Sequence, residues 1–202
     1  MRLYVLLYGV NPLRIYLHKM AFARFCTEPY QKPTRKNMKN VFMHLTNYAL
    51  NKMSENYEQA DDYNDDEGHK RSLGAILRIL RAEGCDVNEF MEQIKDMIIK
   101  TLIVGQPTLL FDYKVSQPEC LDNSMAFHIL GFDVIIDENF KPYLLEVNQS
   151  CSLMTDTPLD YKIKKNVVSD ALGLLNFSHK RRVEYWQNEK VKTEDRIIHG
   201  KI

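Results

Sequence analysis

Two carboxylates and an amide, carried on a strand–turn–strand pattern, are the side chains in this sequence whose types and spacing best suit chemistry. Asp133 lies in a largely apolar run, residues 131–136, and Glu146 and Asn148 lie in a second such run, residues 143–148. Mainly polar residues separate the two runs. Apolar, β-branched runs on either side of a polar turn predict a β-hairpin.

The expected register of this hairpin brings the three polar side chains together. A turn centred between Asn139 and Phe140 would place Asp133 opposite Glu146. Glu146 and Asn148 are two residues apart, so they share one face of their strand. Three oxygen-bearing side chains on one face suit Mg²⁺ that also holds substrate phosphates. Acidic residues on a solvated hairpin face are also common, so the triplet by itself leaves metal binding and a solvated face both open.

Hydrophobic periodicity predicts the elements that position these residues. A helix is expected to begin at a cap supplied by Asp86 or Asn88. In the second strand of the hairpin, Leu145 and Val147 are expected to face away from Glu146. Two further helices are predicted over 72–81 and 159–175, and an exposed helix over the charged tail from 178. Extended segments are predicted over 2–8, 14–19, 21–28, 124–136 and 141–148, with polar loops over 29–40 and 51–70.

Composition argues against several classes of protein. The chain has 202 residues, 45% apolar and 27% charged, which is enough to bury a core. Its formal net charge is zero, so no global field points to nucleic acid. Four widely spaced cysteines without a CxxC pair argue against a zinc site or a disulfide framework and fit a reducing, cytoplasmic compartment. Residues 1–8 alternate and are too short for a signal peptide or a membrane span, so no membrane partner is expected.

Four stretches in a fixed order resemble the tubulin-tyrosine-ligase-like family of ATP-grasp amino-acid ligases. They are residues 2–6, residues 11–16 with 23–30, residues 43–48, and residues 130–133 with 144–148. Residues 70–72 and 100–104 make the polyglutamylating branch the most similar one.

The resemblance implies an α+β fold, the C-terminal half of an ATP-grasp fold, with an antiparallel sheet covered by helices. It implies a partial catalytic domain over residues 1–177 and a charged helical extension over 178–202. Family members carry a segment before the first strand that supplies phosphate-binding lysines and the adenine hinge. The expectation is therefore a truncated piece that does not turn over ATP alone.

The activity that the resemblance implies is ATP-dependent peptide or isopeptide bond formation. A tubulin carboxylate is phosphorylated, and the amino group of free glutamate attacks the acyl-phosphate. Such chemistry needs Mg²⁺, cations around the transferred group and a water-poor site. The implied partners are the acidic tails of tubulin, and the implied locations are the microtubule cytoskeleton and the cilium or basal body.

The resemblance also assigns roles to individual residues. Asp133, Glu146 and Asn148 are the implied Mg²⁺ ligands, with Glu146 bridging two ions. Arg2 is implied to contact phosphate, and Arg24 the acyl-phosphate or the incoming amino acid. Thr46 and Asn47 are implied to contact the nucleotide. Tyr48 and Lys164 are implied to contact the amino-acid substrate. Glu146 and Arg24 are thus the implied catalytic residues.

Several alternatives stay open. Lys164 could instead lie on a solvated helix face. Lys70 and Arg71 could meet an acidic substrate or only end a solvated loop. His44 is expected to be a structural histidine whose hydrogen bonds are satisfied. Gln149 and Cys151 replace the histidine and proline that are common in related enzymes, which leaves glutamate and glycine both possible as the added amino acid. A non-catalytic remnant that binds microtubules or a partner is the rival function. Two basic clusters could meet acidic tails: Lys32, Arg35, Lys36 and Lys39, and Lys180, Arg181 and Arg182.

Overall fold

A computed structural model describes residues 1–59, 68–118, 120, 126–177 and 179–199. The acidic core of the predicted 51–70 loop, Asp61, Asp62, Asp65, Asp66 and Glu67, lies outside these residues, as does the start of the strand predicted from 124. The chain divides into two compact units, residues 1–167 and 168–202.

One antiparallel sheet organises the first unit. Its described strands are β1 (Arg2–Val10), β2 (Leu13–Leu17), β3 (Phe22–Arg24), β4 (Lys70–Ser72), β5 (His128–Ile136) and β6 (Pro142–Asn148). They run in the order β4-β3-β1-β5-β6, and β2 also pairs with β1. Every pairing is antiparallel, so the predicted α+β class with an antiparallel sheet is confirmed.

The described helices lie between the strands or follow them along the chain. They are α1 (Val41–His44), α2 (Tyr48–Asn51), α3 (Leu73–Ala82), α4 (Val87–Ser116), α5 (Pro158–Leu175) and α6 (His179–His199). Asp86 caps α4, because its carboxylate accepts hydrogen bonds from the backbone of Asn88 and Glu89. The predicted cap is therefore confirmed, and the helix continues through Pro107, well beyond the predicted apolar stripe.

Each face of the sheet buries a separate apolar cluster. On one face, Leu3, Val5 and Phe132 pack with the α4 stripe of Phe90, Ile94, Ile98 and Leu102. On the other face, Tyr4 and Phe22 pack with Leu159, Ile163 and Val167 of α5. Alternation along β1 sends odd-numbered residues to the first cluster and Tyr4 to the second. The face that Tyr4 shares with Arg2 is the one that carries the candidate site.

A β-bulge sets the register of the hairpin. Asp133 pairs with Glu146, as predicted, but the next pair is Val134 with Leu144, which leaves Leu145 as the extra residue. The turn is consequently centred on Asn139, whereas the predicted centre was between Asn139 and Phe140. Leu145 is 63% exposed and lines a cavity together with Glu146, so the expectation that it faces the opposite side is wrong.

The second unit contains the charged helix α6. Its described apolar side chains include Trp186, Ile197 and Ile198, all exposed. Across the residues that the structure describes, no helix is both long and apolar enough to cross a lipid bilayer.

Candidate active site

The hairpin brings the predicted metal-binding triplet to one face. Asp133 stands directly opposite Glu146. The Asn148 side-chain amide donates a 3.0 Å hydrogen bond to Glu146 Oε1. No group of three or more carboxylate, imidazole or thiolate side chains is arranged to hold a metal ion in the described ranges, so Asn148 would have to be the third ligand. Two carboxylates and an amide oxygen are hard donors of the kind that Mg²⁺ accepts.

Arginine side chains already engage the Asp133 carboxylate. Arg2 pairs with Asp133 across β1 and β5, and it donates from Nε to Oδ1 at 2.6 Å and from Nη2 to Oδ2 at 2.7 Å. Nη2 of Arg24 lies 3.5 Å from the same Oδ2. Burial raises the pKa of Asp133, but the hydrogen bonds and charge of Arg2 outweigh burial and hold that pKa below its usual value. Asp133 is therefore an anion clamped between two guanidinium groups.

Gly131 makes room for this clamp. A Cβ built at Gly131 would lie 3.0 Å from Cys151 Cβ and 3.1 Å from both Cδ and Nη1 of Arg2. Any larger residue at this position would push against the arginine that holds Asp133. Cys151 itself donates to the Ile129 carbonyl at 3.4 Å, so it occupies a fixed place beside β5.

One cavity collects most of the predicted residues. It has a volume of about 440 Å³, and its lining includes Arg2, Arg24, Thr46, Asn47, Asp133, Leu145 and Glu146. Thr46 and Asn47 arrive there because the preceding helix α1 is tied to the chain after β3. The backbone amides of Thr27 and Glu28 both donate to the Phe42 carbonyl, at 3.1 and 3.2 Å.

A second polar cluster surrounds Asp160, near the start of α5. Lys70 Nζ lies 2.5 Å from Asp160 Oδ2, and Lys164 Nζ lies 3.1 Å from Oδ1. The Thr157 hydroxyl also donates to Oδ2, at 3.0 Å. Lys164 further donates to the Met154 carbonyl, and only 7% of it is exposed. A solvated helix face is therefore ruled out for Lys164.

Aromatic rings join the two clusters. The Phe22 ring centroid lies 4.3 Å from Lys70 Nζ and 6.0 Å from the guanidinium carbon of Arg24. The Tyr48 ring lies 5.7 Å from the same Lys70 nitrogen and packs edge-on against Tyr57. Tyr48 and Lys164 are thus brought together through Lys70 and Asp160.

Three residues flagged in the sequence lie elsewhere. Arg71 donates to the Gly68 carbonyl and packs over Phe25. His44 packs edge-on against Tyr30, and its buried Nε2 has no hydrogen-bond partner among the described residues, so it is not the satisfied histidine expected. The Gln149 carbonyl accepts from His128, while its side chain is exposed.

Asp160 was not among the residues predicted from the sequence. The only local signal was Thr157 three residues before it, a spacing typical of a helix N-terminus. That signal predicts a cap, and Thr157 does accept a hydrogen bond from the Asp160 backbone at 3.1 Å. It does not predict that the Asp160 carboxylate binds a lysine 90 residues away.

Comparison with known proteins gives this geometry a context. The model of the tubulin-tyrosine ligase family matches residues 1–183. A probable beta-tubulin polyglutamylase of Tetrahymena thermophila is 48% identical over 201 residues, which is 99% of this chain and 17% of that protein. Tubulin polyglutamylase TTLL7 of Xenopus tropicalis is 37% identical over 98% of this chain and 22% of its own length. Tubulin polyglutamylase TTLL5 of Mus musculus is 45% identical over 87% of this chain and 13% of its own length. The chain therefore spans less than a quarter of each of these relatives.

Proposed function

Because this chain belongs to the tubulin-tyrosine ligase family, we propose that it carries the metal-binding and amino-acid-binding part of a tubulin polyglutamylase. Such an enzyme uses ATP to join glutamate to glutamate side chains in tubulin tails. The observation that carries the proposal is the single cavity in which two arginines meet the carboxylates of Asp133 and Glu146. Relatives at 37–48% identity that are named tubulin polyglutamylases support the choice of reaction.

Asp133, Glu146 and Asn148 would hold Mg²⁺. The donor set fits this ion, because it combines two carboxylates with an amide oxygen on one strand face. When bound, Mg²⁺ supplies positive charge that neutralises the ATP phosphates and the transferred phosphoryl group.

The two arginines would stabilise negative charge beside that site. Arg2 is held in place by its two hydrogen bonds to Asp133, so its guanidinium group can offer its remaining donors to phosphate without losing its position. The Arg24 side chain is 27% exposed, more than the 12% of Arg2, and it would meet the acyl-phosphate or the incoming amino acid. A planar fork of donors suits phosphate and carboxylate equally.

The nucleotide and the amino acid would lie on different sides of Arg24. Thr46 and Asn47, in the same cavity as Glu146, are proposed to contact ATP. Tyr48 and Lys164, with Lys70 between them, are proposed to contact glutamate. Two ammonium groups and one carboxylate leave one net positive charge, which favours a ligand that carries a carboxylate.

The two basic clusters would bind the acidic tails of tubulin. We propose residues 1–177 as the partial catalytic domain and 178–202 as an extension, with both basic clusters facing acidic tails. Within the first cluster, Lys32, Arg35, Lys36 and Lys39 are all exposed. The proposed site of action is the cytoplasmic microtubule cytoskeleton, including the cilium or basal body.

Glutamate incorporation tests this function. The full-length protein would be incubated with ATP, Mg²⁺, microtubules and labelled glutamate, and in parallel with labelled glycine. We expect label on tubulin from glutamate only, with dependence on both ATP and Mg²⁺. Label from glycine only would identify a glycylase, and no label from either amino acid would support a non-catalytic, microtubule-binding role.

A further inference from the structure

Asp160 is a buried carboxylate that holds two lysines from distant parts of the chain. Only 2% of it is exposed, and its Oδ2 accepts hydrogen bonds from Lys70 and from the Thr157 hydroxyl. Its Oδ1 lies 3.1 Å from Lys164 Nζ and accepts no hydrogen bond among the described residues. Burying a carboxylate is costly unless it is paired and hydrogen-bonded. A carboxylate that only capped α5 could stay at the surface, so this degree of burial calls for another role.

The lysines held by Asp160 keep donors for a ligand. An ammonium group has three protons. Lys164 donates to the Met154 carbonyl and forms an ion pair with Asp160 Oδ1, whereas the hydrogen-bonded ion pair with Oδ2 is the polar contact described for Lys70. The rings of Phe22 and Tyr48 flank the Lys70 nitrogen and restrict where its remaining protons can point.

Unpartnered hydroxyl groups belong to two neighbouring residues, since Tyr4 packs with Leu159 and Ile163 of α5 and Tyr57 packs edge-on against Tyr48. The buried hydroxyls of Tyr4 and Tyr57 have no hydrogen-bond partner within the described part of the chain. Burial raises the pKa of both phenols, and the negative charge of Asp160 also contributes to raising both. Buried donors without partners near two ammonium groups suit a ligand with acceptor oxygens.

We propose that Asp160 is a positioning residue that fixes the ammonium groups of Lys70 and Lys164 for a carboxylate of the incoming amino acid. The inference rests on the proposed function. It assigns Asp160 no contact with substrate. Its effect passes through the two lysines.

If Asp160 only neutralised the charges of the two lysines, replacing it would strengthen the binding of glutamate. Removing the Asp160 charge leaves two uncompensated ammonium groups, which would attract a carboxylate more strongly. Positioning predicts weaker binding instead, because two unrestrained lysines that repel each other lose the geometry that fits one carboxylate. The direction of the change in glutamate affinity therefore separates the two roles.

The test uses two variants of the full-length protein. In Asp160→Asn we expect the KM for glutamate to rise about 10- to 100-fold, while the KM for ATP stays the same. Asp160→Glu keeps the charge but moves the carboxylate by one methylene, so we expect it to raise the KM for glutamate as well. Because Asp160→Glu keeps both charges paired, it decides the question even if Asp160→Asn fails to fold. Asp96→Asn is the matched control, since it breaks an exposed carboxylate–lysine pair of 2.6 Å with Lys100 and should leave both KM values unchanged.

A chemical readout separates this inference from the proposed function. Acylation of Lys70 by acetic anhydride, followed by mass spectrometry, should be several-fold faster in Asp160→Asn than in the wild type, because the ammonium loses its partner. An equal or lower KM for glutamate in both variants, or an unchanged rate of Lys70 acylation, would overturn the positioning role. A wild-type protein that incorporates no glutamate would overturn the proposed function, whatever the acylation rate.

Discussion

Replacing Gly131 with alanine should weaken the clamp on Asp133. The added Cβ would lie 3.0 Å from Cys151 Cβ and 3.1 Å from Arg2 Cδ and Nη1. The Cβ of Cys151 is fixed by its backbone, so that contact cannot relax easily, whereas Arg2 can relieve the other two contacts only by shifting. Overpacking of this kind costs about 1–3 kcal/mol. For a chain of this size we expect the melting temperature to fall by about 2–4 °C for each kcal/mol.

Chemical and thermal denaturation of the purified chain would measure this loss. Gly173→Ala is the matched control, because a Cβ at that helical position meets nothing within 4 Å and should stabilise the chain by up to about 1 kcal/mol. Cys151→Gly in the Gly131→Ala background removes the hard contact and should restore part of the lost free energy of unfolding. A Gly131→Ala variant as stable as the wild type would refute the assignment of Gly131 as the residue that makes room for Arg2.

Three further predictions concern the ion pairs of Asp160, the cap of α4 and the basic clusters. Burial raises the pKa of Asp160, but the hydrogen bond and charge of Lys70 and the ion pair with Lys164 outweigh burial and hold that pKa below its usual value. These pairs therefore stabilise the fold fully above a pH of about 4 and lose this effect as pH falls further. Acid unfolding followed by circular dichroism should show a smaller loss of stability below that pH in Asp160→Asn than in the wild type. Asp86→Ala removes two hydrogen bonds at the start of α4 and should cost about 1 kcal/mol in urea denaturation, whereas Asp86→Ser should cost much less. Microtubule co-sedimentation should weaken as rising salt shortens the Debye length from about 10 Å to about 3 Å. Replacing Lys180, Arg181 and Arg182 by glutamate should weaken it more than replacing Lys190 and Lys192 by glutamate. Binding that changes with neither salt nor the triple replacement would leave the cluster from Lys32 to Lys39 as the remaining candidate.

Local patterns predicted the hairpin that carries Asp133, Glu146 and Asn148, but they placed β4, Lys70–Ser72, in a polar loop and at the start of a helix. Alternation and a polar turn predicted the hairpin, and the cap at Asp86 with its apolar stripe predicted the start of α4. The opposition of Asp133 and Glu146 was also predicted, although the structure reaches it through a bulge at Leu145. A bulge has no reliable local signal, because any residue can be the extra one when packing on both sides favours it.

Long-range pairing could not be predicted from the residues alone. Arg2 and Asp133 lie 131 positions apart, and Lys70 and Asp160 lie 90 apart, so neither contact follows from a spacing rule. Lys164 has lysines on both sides of it in the sequence, which favours a solvated face, yet the buried carboxylate of Asp160 draws it inward.

Glutamate incorporation by Glu146→Gln in the full-length protein tests the central claim most directly. Glu146 is exposed, and a glutamine oxygen can still accept the hydrogen bond from Asn148, so the fold should survive. Loss of one charged ligand beside the phosphates should lower the rate of glutamate incorporation by at least about 10²- to 10³-fold. Glu138→Gln, at the exposed turn of the hairpin, is the control and should keep wild-type activity. A Glu146→Gln protein that folds and incorporates glutamate at the wild-type rate would contradict the assignment of this hairpin as the metal site of a tubulin polyglutamylase.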